Sequence, residues 1–192
     1  MKSIIQNFKH LLRVTLCSVT LFLVFSDNNR AFAQSSTLDN LFLQLQDPEN
    51  LDWKKTEKEI WREWRKSGSV SMDHLLKRGV IAMQQGRLKV AAGHFSAAID
   101  HAPDYAEAWN KRATAYYLME EFGLSMSDIR QTLLLNPRHF GAMAGLGSIL
   151  EQIDRPKDAL MFYERALQVH PHQKGVKEAI ERLKTEVKGT PL

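Results

Sequence analysis

The sequence predicts an all-α solenoid built from antiparallel helix pairs, and three observations support this fold class. Three prolines, Pro103, Pro137 and Pro171, stand 34 residues apart, twice in succession. The same kinds of residue recur at the same distances before each proline, and a constant period of this length is typical of stacked helical repeats. Apolar residues make up 44% and charged residues 25% of the 192-residue chain. This composition argues against whole-chain disorder and against a multispan membrane protein.

Each unit repeats one skeleton of large and small side chains. The middle unit carries it as Trp109-x2-Arg112-Ala113-x2-Tyr116, Ser125-x3-Ile129 and Pro137. Gly79 and Ala91 take the two small positions in the first unit, and Gly147 and Ala159 take them in the last. Small side chains are expected where the two helices of a unit cross closely. Each proline follows the second helix, because proline lacks the backbone donor and disfavours a helical residue before it.

This skeleton resembles the tetratricopeptide repeat (TPR), whose W-x2-L-G-x2-Y…A-x3-F…P pattern the three units follow. The resemblance covers residues 72–171 and implies a right-handed TPR solenoid that binds other proteins without catalysis. The predicted organisation is a signal peptide (1–33), an N-terminal helical extension or degenerate repeat (34–71), three repeats (72–105, 106–139 and 140–173) and a C-terminal capping helix with a tail (174–192).

Atypical helices are expected at both ends of the solenoid, because a terminal repeat must present one face to water. Toward the C-terminus, one apolar stripe runs along an otherwise charged segment: Val176, Ile180, Leu183 and Val187. Toward the N-terminus, Thr37 is a candidate cap for a short helix that ends before Pro48. A second helix is expected over 51–66, and these two N-terminal helices would form the degenerate unit.

The first 33 residues predict an export signal. Lys2, Lys9 and Arg13 precede an apolar run over 14–25, and the small-residue pattern Ala-Phe-Ala ends at Ala33. A basic start, an apolar centre and a small-residue site are typical of a cleaved secretory signal. The run is shorter than the ~20 residues that a spanning helix needs. We therefore expect cleavage after Ala33 and a periplasmic protein; an uncleaved anchor is the alternative.

Charge and cysteine content exclude several classes of function. Four of the 26 basic and one of the 22 acidic residues lie in residues 1–33, so the remainder carries a net charge of only +1. This balance gives no support for a nucleic-acid partner. Cys17 is the only cysteine and lies in the export signal. The mature chain therefore has no disulfide, no thiol nucleophile and no thiolate metal ligand.

The expected helix over 51–66 is rich in tryptophan. Trp53, Ile60 and Trp64 fall on one face, and Trp61 lies at its border. Aromatic residues on one side and basic residues on the other also describe a helix that lies on a membrane surface. Three glutamates reduce the positive charge that anionic lipid would attract. We therefore expect a capping helix that buries its tryptophans against the first repeat, and membrane association is not favoured.

No motif in the sequence predicts catalysis, a cofactor or a metal. His170 and His172 flank Pro171, but two histidines without a third ligand make a poor metal site. Gly141 and Gly145 follow no predicted strand, so they favour close helix packing over a phosphate-binding loop. Accordingly, no catalytic, cofactor-binding or metal-ligating residue is predicted.

The resemblance to TPR proteins implies a binding groove lined by the first helix of each unit. Some members hold the C-terminal carboxylate of a peptide with basic residues on these helices. The corresponding positions here are Leu76, Val80, Asn110, Lys111, Thr114, Gly141 and Gly145. Only Asn110 and Lys111 suit that chemistry. The candidate partner-binding residues are Asp73, Leu76, Val80, Met83, Asn110, Thr114, Tyr117, Ser148 and Glu151.

Arg78 and Arg112 occupy positions that TPR sequences usually give to leucine. They are either ligand-binding residues or structural residues whose stems pack on apolar surface. Asp128 lies sixteen residues after Arg112, on the second helix of the same unit. Because the two helices are antiparallel, the two residues should lie at the same level along the helix axes. We therefore expect Arg112 to pair with Asp128. The first unit has His94 at the position of Asp128, so Arg78 should lack such a partner.

The leading functional interpretation is an exported, soluble scaffold or adaptor that binds a peptide or a helix of a partner protein in this groove. The alternative is an assembly factor associated with the inner membrane. Either an uncleaved N-terminus or the tryptophan-rich helix would then hold it there.

Overall fold

The computed structural model describes residues 37–189, and side chains through residue 186. The repeats lie within the unit Leu41–Leu192. The regular elements in the described range are helices: α1 (37–46), α2 (Trp53–Trp64), α3 (Val70–Gln84), α4 (Leu88–His101), α5 (Ala106–Leu118), α6 (Phe122–Leu135), α7 (Phe140–Gln152), α8 (Pro156–Val169) and α9 (Lys174–Gly189). The all-α class is confirmed. The expected signal peptide lies outside the described residues. Among the helices described, none is both long and apolar enough to cross a membrane.

Helices α3 to α8 form three consecutive pairs, α3 with α4, α5 with α6, and α7 with α8. Each first helix ends in the same way. The backbone N–H of Arg87, Glu121 and Arg155 donates to the carbonyl five residues earlier, at 2.9, 2.9 and 2.8 Å. This is the Schellman arrangement, and it requires a left-handed residue just before the donor. Gly86 adopts that conformation in the first pair, whereas Glu120 and Asp154 adopt it with φ of 61° and 58° in the others.

Small residues allow the two helices of a pair to cross closely. A Cβ placed on Gly147 would lie 2.7 Å from the Tyr163 ring. Gly79 faces the Phe95 ring in the same manner. In the middle pair, the Ser125 hydroxyl donates to the carbonyl of Ala113 at 2.8 Å across the crossing. In the first and third pairs, the aromatic ring of the second helix therefore fills the space that the glycine leaves on the first helix.

The C-terminal helix α9 covers the last pair. Val176, Ile180 and Leu183 are buried against a core that includes Met143 and Tyr163. The predicted apolar stripe thus lies on the face that packs on the third pair. The side chain of Val187, the last member of the stripe, lies outside the described residues.

Candidate functional site

Helix α2 lies over the start of the first helices α5 and α7. The Trp61 ring covers Gly141, where a Cβ would lie 2.7 Å from the Trp61 Cη2 atom. The Lys111 ammonium lies 5.1 Å from the centre of the same ring. Trp64, which is 9% exposed, stacks on His139 with ring centres 4.3 Å apart. The expectation that these tryptophans pack on the first repeat is wrong, because their contacts fall on the second and third repeats.

The other end of α2 contacts the two histidines that follow α8. Trp53 stacks on His172 with ring centres 5.3 Å apart and meets His170 edge-on at 5.7 Å. Glu57 Oε1 lies 3.5 Å from His170 Nε2. Burial lowers the pKa of His170, and the charge of Glu57 offsets this effect only in part. The start of α2 therefore packs against His170 and His172.

A buried polar network supports the surface under α2. His139 is the N-cap of α7, and its Nδ1 accepts from the backbone N–H of Ala142 at 3.0 Å. Its proton therefore lies on Nε2, which donates to Glu107 Oε2 at 3.1 Å. Lys111 Nζ lies 3.1 Å from the other oxygen of Glu107, and Asn110 Nδ2 donates to Oε2 at 3.0 Å.

The carboxyl of Glu107 remains ionised in this network. Burial raises its pKa, but the hydrogen bond from His139 and the charge of Lys111 outweigh that effect and hold the pKa below its usual range. Both Glu107 and His139 have fully buried side chains. Both groups are therefore enclosed by the protein.

Beyond the edge of α2, a cavity of about 160 Å³ opens between α5, α6 and α7. Its lining residues are Asn110, Ala113, Thr114, Tyr117, Ser125, Ile129, Gly141, Ala142, Gly145, Ser148 and Ile149. None of them is charged at neutral pH. Gly145 contributes only backbone, and a Cβ placed there would meet Ile129 Cδ1 at the ordinary distance of 3.9 Å. A larger side chain at position 145 would therefore occupy part of the cavity.

Four of the nine candidate partner-binding residues line this cavity: Asn110, Thr114, Tyr117 and Ser148. The Tyr117 hydroxyl lies 3.3 Å from Ser148 Oγ and also accepts a hydrogen bond from Gln152. The Thr114 hydroxyl donates to the carbonyl of Asn110 at 3.0 Å. Hydroxyl and amide groups thus form the polar part of the lining.

The other five candidates lie elsewhere. Leu76 is buried in the core of the first pair, and Val80 and Met83 pack against that core. Asp73 accepts hydrogen bonds from the backbone and the hydroxyl of Ser67, at 2.8 and 2.7 Å. Glu151 pairs with Arg182 at 2.5 Å and accepts from the Tyr163 hydroxyl at 3.1 Å. The structure therefore does not bring these five residues into the cavity.

Residues that the sequence reasoning left out complete the cavity floor. Ile129 and Ile149 supply its largest apolar side chains, and Ala113 and Ala142 are also part of the lining. The repeat skeleton could have identified Ala113 and Ile129, because both occupy positions of the skeleton at the helix crossing. Ile149 does not occupy a position of the repeat skeleton, so no comparable signal for it exists in the sequence.

Arg112 pairs with Asp128 of its own repeat, as predicted, and also contacts Ser96 of the first repeat. Its Nε and Nη2 atoms donate to the two oxygens of Asp128 at 2.7 and 2.9 Å, and Nη1 donates to Ser96 Oγ at 2.9 Å. The guanidinium also lies 4.9 Å from the centre of the half-buried Trp109 ring. The hydrogen bond to Asp128 raises the pKa of Arg112 despite partial burial. Arg78 is exposed and forms no ion pair within the described part of the chain.

Comparisons with known proteins agree with this architecture. A tetratricopeptide repeat family model matches residues 76–122. A TPR repeat-containing protein from Rhizobium etli is 33% identical over 169 residues, which are 86% of this chain and 82% of that protein. The Hsp70-Hsp90 organizing protein of Triticum aestivum is 27% identical over 119 residues, 62% of this chain but only 20% of that protein.

Among solved structures, the first TPR domain of Spaghetti (RPAP3), bound to an HSP90 peptide, superposes with a TM-score of 0.59 at 20% identity. The match covers 62% of this chain and 94% of that domain. A likeness at this level of identity shows the fold. With the extensive match to the Rhizobium etli protein, the three helix pairs and their shared skeleton, it leads to one conclusion: this chain belongs to the tetratricopeptide repeat family.

Proposed function

We propose that this protein is an exported adaptor that binds a peptide or a helix of a partner protein in the groove of its first helices, without catalysis. One observation carries the proposal. Helix α2 covers the start of the groove, but the cavity between α5 and α7 stays open and has an uncharged polar rim over an apolar floor. Such a mixture of apolar surface and a few oriented polar groups is typical of a recognition site. The similar domain that is bound to an HSP90 peptide supports a peptide as the occupant.

The occupant differs from a peptide held by its C-terminal carboxylate. Four of the positions that would supply such a clamp are Leu76, Val80, Gly141 and Gly145, none of which carries a charge. The one cation among those positions, Lys111, is paired with Glu107 and lies under Trp61. A carboxylate would therefore find no free positive charge at these positions, and we propose that an internal segment of the partner is bound.

The export part of the proposal rests on the N-terminal sequence. A basic start, an apolar run over 14–25 and the small residues before Gln34 support removal of residues 1–33 and a periplasmic location. Mass spectrometry of the protein from the cell envelope should show a mature N-terminus at Gln34. Dominant peptides that contain Met1 would instead support the membrane-anchored alternative. The tryptophan helix does not favour that alternative, because Trp61 and Trp64 pack against the repeats.

Site-specific photo-crosslinking in the producing cell tests groove binding. A photoreactive residue at the exposed position 152, where Gln152 reaches the cavity residue Tyr117 without lining the cavity, should yield a crosslink to one partner protein, and Gly145→Leu should abolish it by filling the cavity. Gly93→Leu is the matched control, because Gly93 also lies within a helix and a Cβ there would meet nothing within 4 Å. A photoreactive residue at the exposed position 164, outside the cavity lining, should not give the same crosslink. Equal crosslinking in both leucine variants would contradict groove binding.

A further inference from the structure

We infer that the cavity between α5 and α7 accepts a single uncharged aromatic side chain of the partner. This inference rests on the proposed function and names the class of ligand that the site recognises. Its basis is the size of the cavity, the chemistry of its lining and the position of Trp61.

The size of the cavity matches one aromatic ring. Its volume is about 160 Å³. An engineered apolar cavity of ~150 Å³ in another protein binds benzene, so the available space suits a six-membered ring. Gly145 keeps the cavity open, because any larger side chain there would occupy part of it.

The lining separates into two chemically different parts. Ile129, Ile149, Ala113 and Ala142 offer apolar contact to the faces and the deep edge of a ring. Thr114, Tyr117 and Ser148 place hydroxyl groups in the same lining. The Thr114 hydroxyl already donates to the carbonyl of Asn110, so its oxygen is available to accept a hydrogen bond. This arrangement tolerates a ring with or without a hydroxyl group.

A charged occupant is disfavoured. Within the part of the chain that the structure describes, no Lys, Arg, Asp or Glu lines the cavity. The two charged groups of α5 at this face, Glu107 and Lys111, are 3.1 Å apart and neutralise one another. An ion that entered the cavity would therefore lose hydration without gaining a partner of opposite charge.

Trp61 limits how much of the partner the groove can hold. Gly141 lines the cavity, and the Trp61 ring covers it on the side of α2. A segment cannot continue along the groove past this point while α2 is docked. The partner therefore inserts a side chain from the end of the cavity at Tyr117 and Ser148, rather than lying along the groove of all three repeats.

Methyl NMR with small probes tests the ligand class on the full chain. Addition of p-cresol or toluene should shift the methyl signals of Ile129 and Ile149, because a bound ring changes their local field. The methyl signals of Ile99, which is buried in the core of the first pair, should not move. 4-Methylbenzoate, which has the same ring with a carboxylate, should produce no shift. The inference is overturned if neither neutral probe shifts the two isoleucines, or if 4-methylbenzoate binds as tightly as p-cresol.

Two variants locate the binding in the cavity. Gly145→Leu should weaken p-cresol binding by about tenfold or more, since burial of the ring is lost. Ser148→Leu, on the rim, should have the same effect and serves as the second variant if Gly145→Leu does not fold. Gly93→Leu should bind p-cresol as the unmodified chain does. Unchanged p-cresol binding in a folded Gly145→Leu or Ser148→Leu variant would place the ring elsewhere and overturn the inference.

The outcomes distinguish this inference from the proposed function. If the crosslink at position 152 is lost in Gly145→Leu while neither neutral probe binds, the adaptor function stands and the aromatic class is wrong. If p-cresol binds in the cavity but no partner crosslinks there, the aromatic site stands and the adaptor function fails.

Discussion

The ion pair between Arg112 and Asp128 provides a sharp test of the repeat architecture. The side chains of Arg112 and Asp128 are only 16% and 6% exposed, and two hydrogen bonds join them. Arg112→Ala removes one partner and leaves the carboxylate of Asp128 buried without compensation, which typically costs about 3–5 kcal/mol. It also removes the hydrogen bond to Ser96 and the contact with Trp109. We therefore expect a loss of about 3–5 kcal/mol in the free energy of unfolding.

A double-mutant cycle isolates the pair itself. The free energies of unfolding of Arg112→Ala, Asp128→Ala and the double variant would be measured by urea denaturation followed by circular dichroism at pH 7. We expect a coupling energy of about 2 kcal/mol, within the range for directly contacting residues. Arg78→Ala is the matched control, because Arg78 occupies the same position in the first repeat but is exposed, so its loss should cost at most about 0.5 kcal/mol. A coupling energy below about 0.5 kcal/mol, or an equal effect of Arg78→Ala, would refute the reasoning.

Three further predictions concern α2, pH and helix crossing. Trp64→Ala should lower the free energy of unfolding by about 3–5 kcal/mol in urea denaturation, because the ring is buried. The free energy of unfolding should fall as the pH falls below about 6.5. Burial lowers the pKa of His170 in the folded chain, so the unfolded chain binds more protons than the folded chain in this range. His170→Gln should weaken this pH dependence, as measured by thermal unfolding between pH 7.5 and 5. Gly147→Ala should destabilise by about 1–3 kcal/mol, because its Cβ would meet the Tyr163 ring. Gly93→Ala should instead raise the free energy of unfolding by about 0.5–1 kcal/mol, because a Cβ there would meet nothing within 4 Å.

A specific measurement would contradict each of these three predictions. A loss below about 1 kcal/mol for Trp64→Ala would mean that α2 does not rest on the repeats through this ring. A pH profile that is identical with and without His170 would show that this histidine titrates alike in the folded and unfolded chain. Equal effects of alanine at positions 147 and 93 would contradict the close helix crossing.

The cavity was only partly predictable. Asn110, Thr114, Tyr117 and Ser148 were identified because the repeat skeleton shows which positions of a first helix face the groove. Leu76 was included by the same reasoning, yet it is buried in a core cluster that also contains Ala108 and Ala115 of the second pair. The position of a residue in the repeat skeleton shows the direction of its side chain relative to its own unit. It does not show whether a neighbouring unit covers that side chain.

The sequence by itself determined the repeat fold and the contacts within each repeat. The proline spacing, the small residue at Gly147 and the pairing of Arg112 with Asp128 all join residues inside one 34-residue unit, where a short turn sets the register. Only the tertiary structure decided where α2 lies. Trp64 meets His139, and Trp53 meets His172, across separations that no repeat period describes. The physical reason is that stacking brings the starts of successive first helices side by side, so distant residues form one surface that exists only after the units have packed.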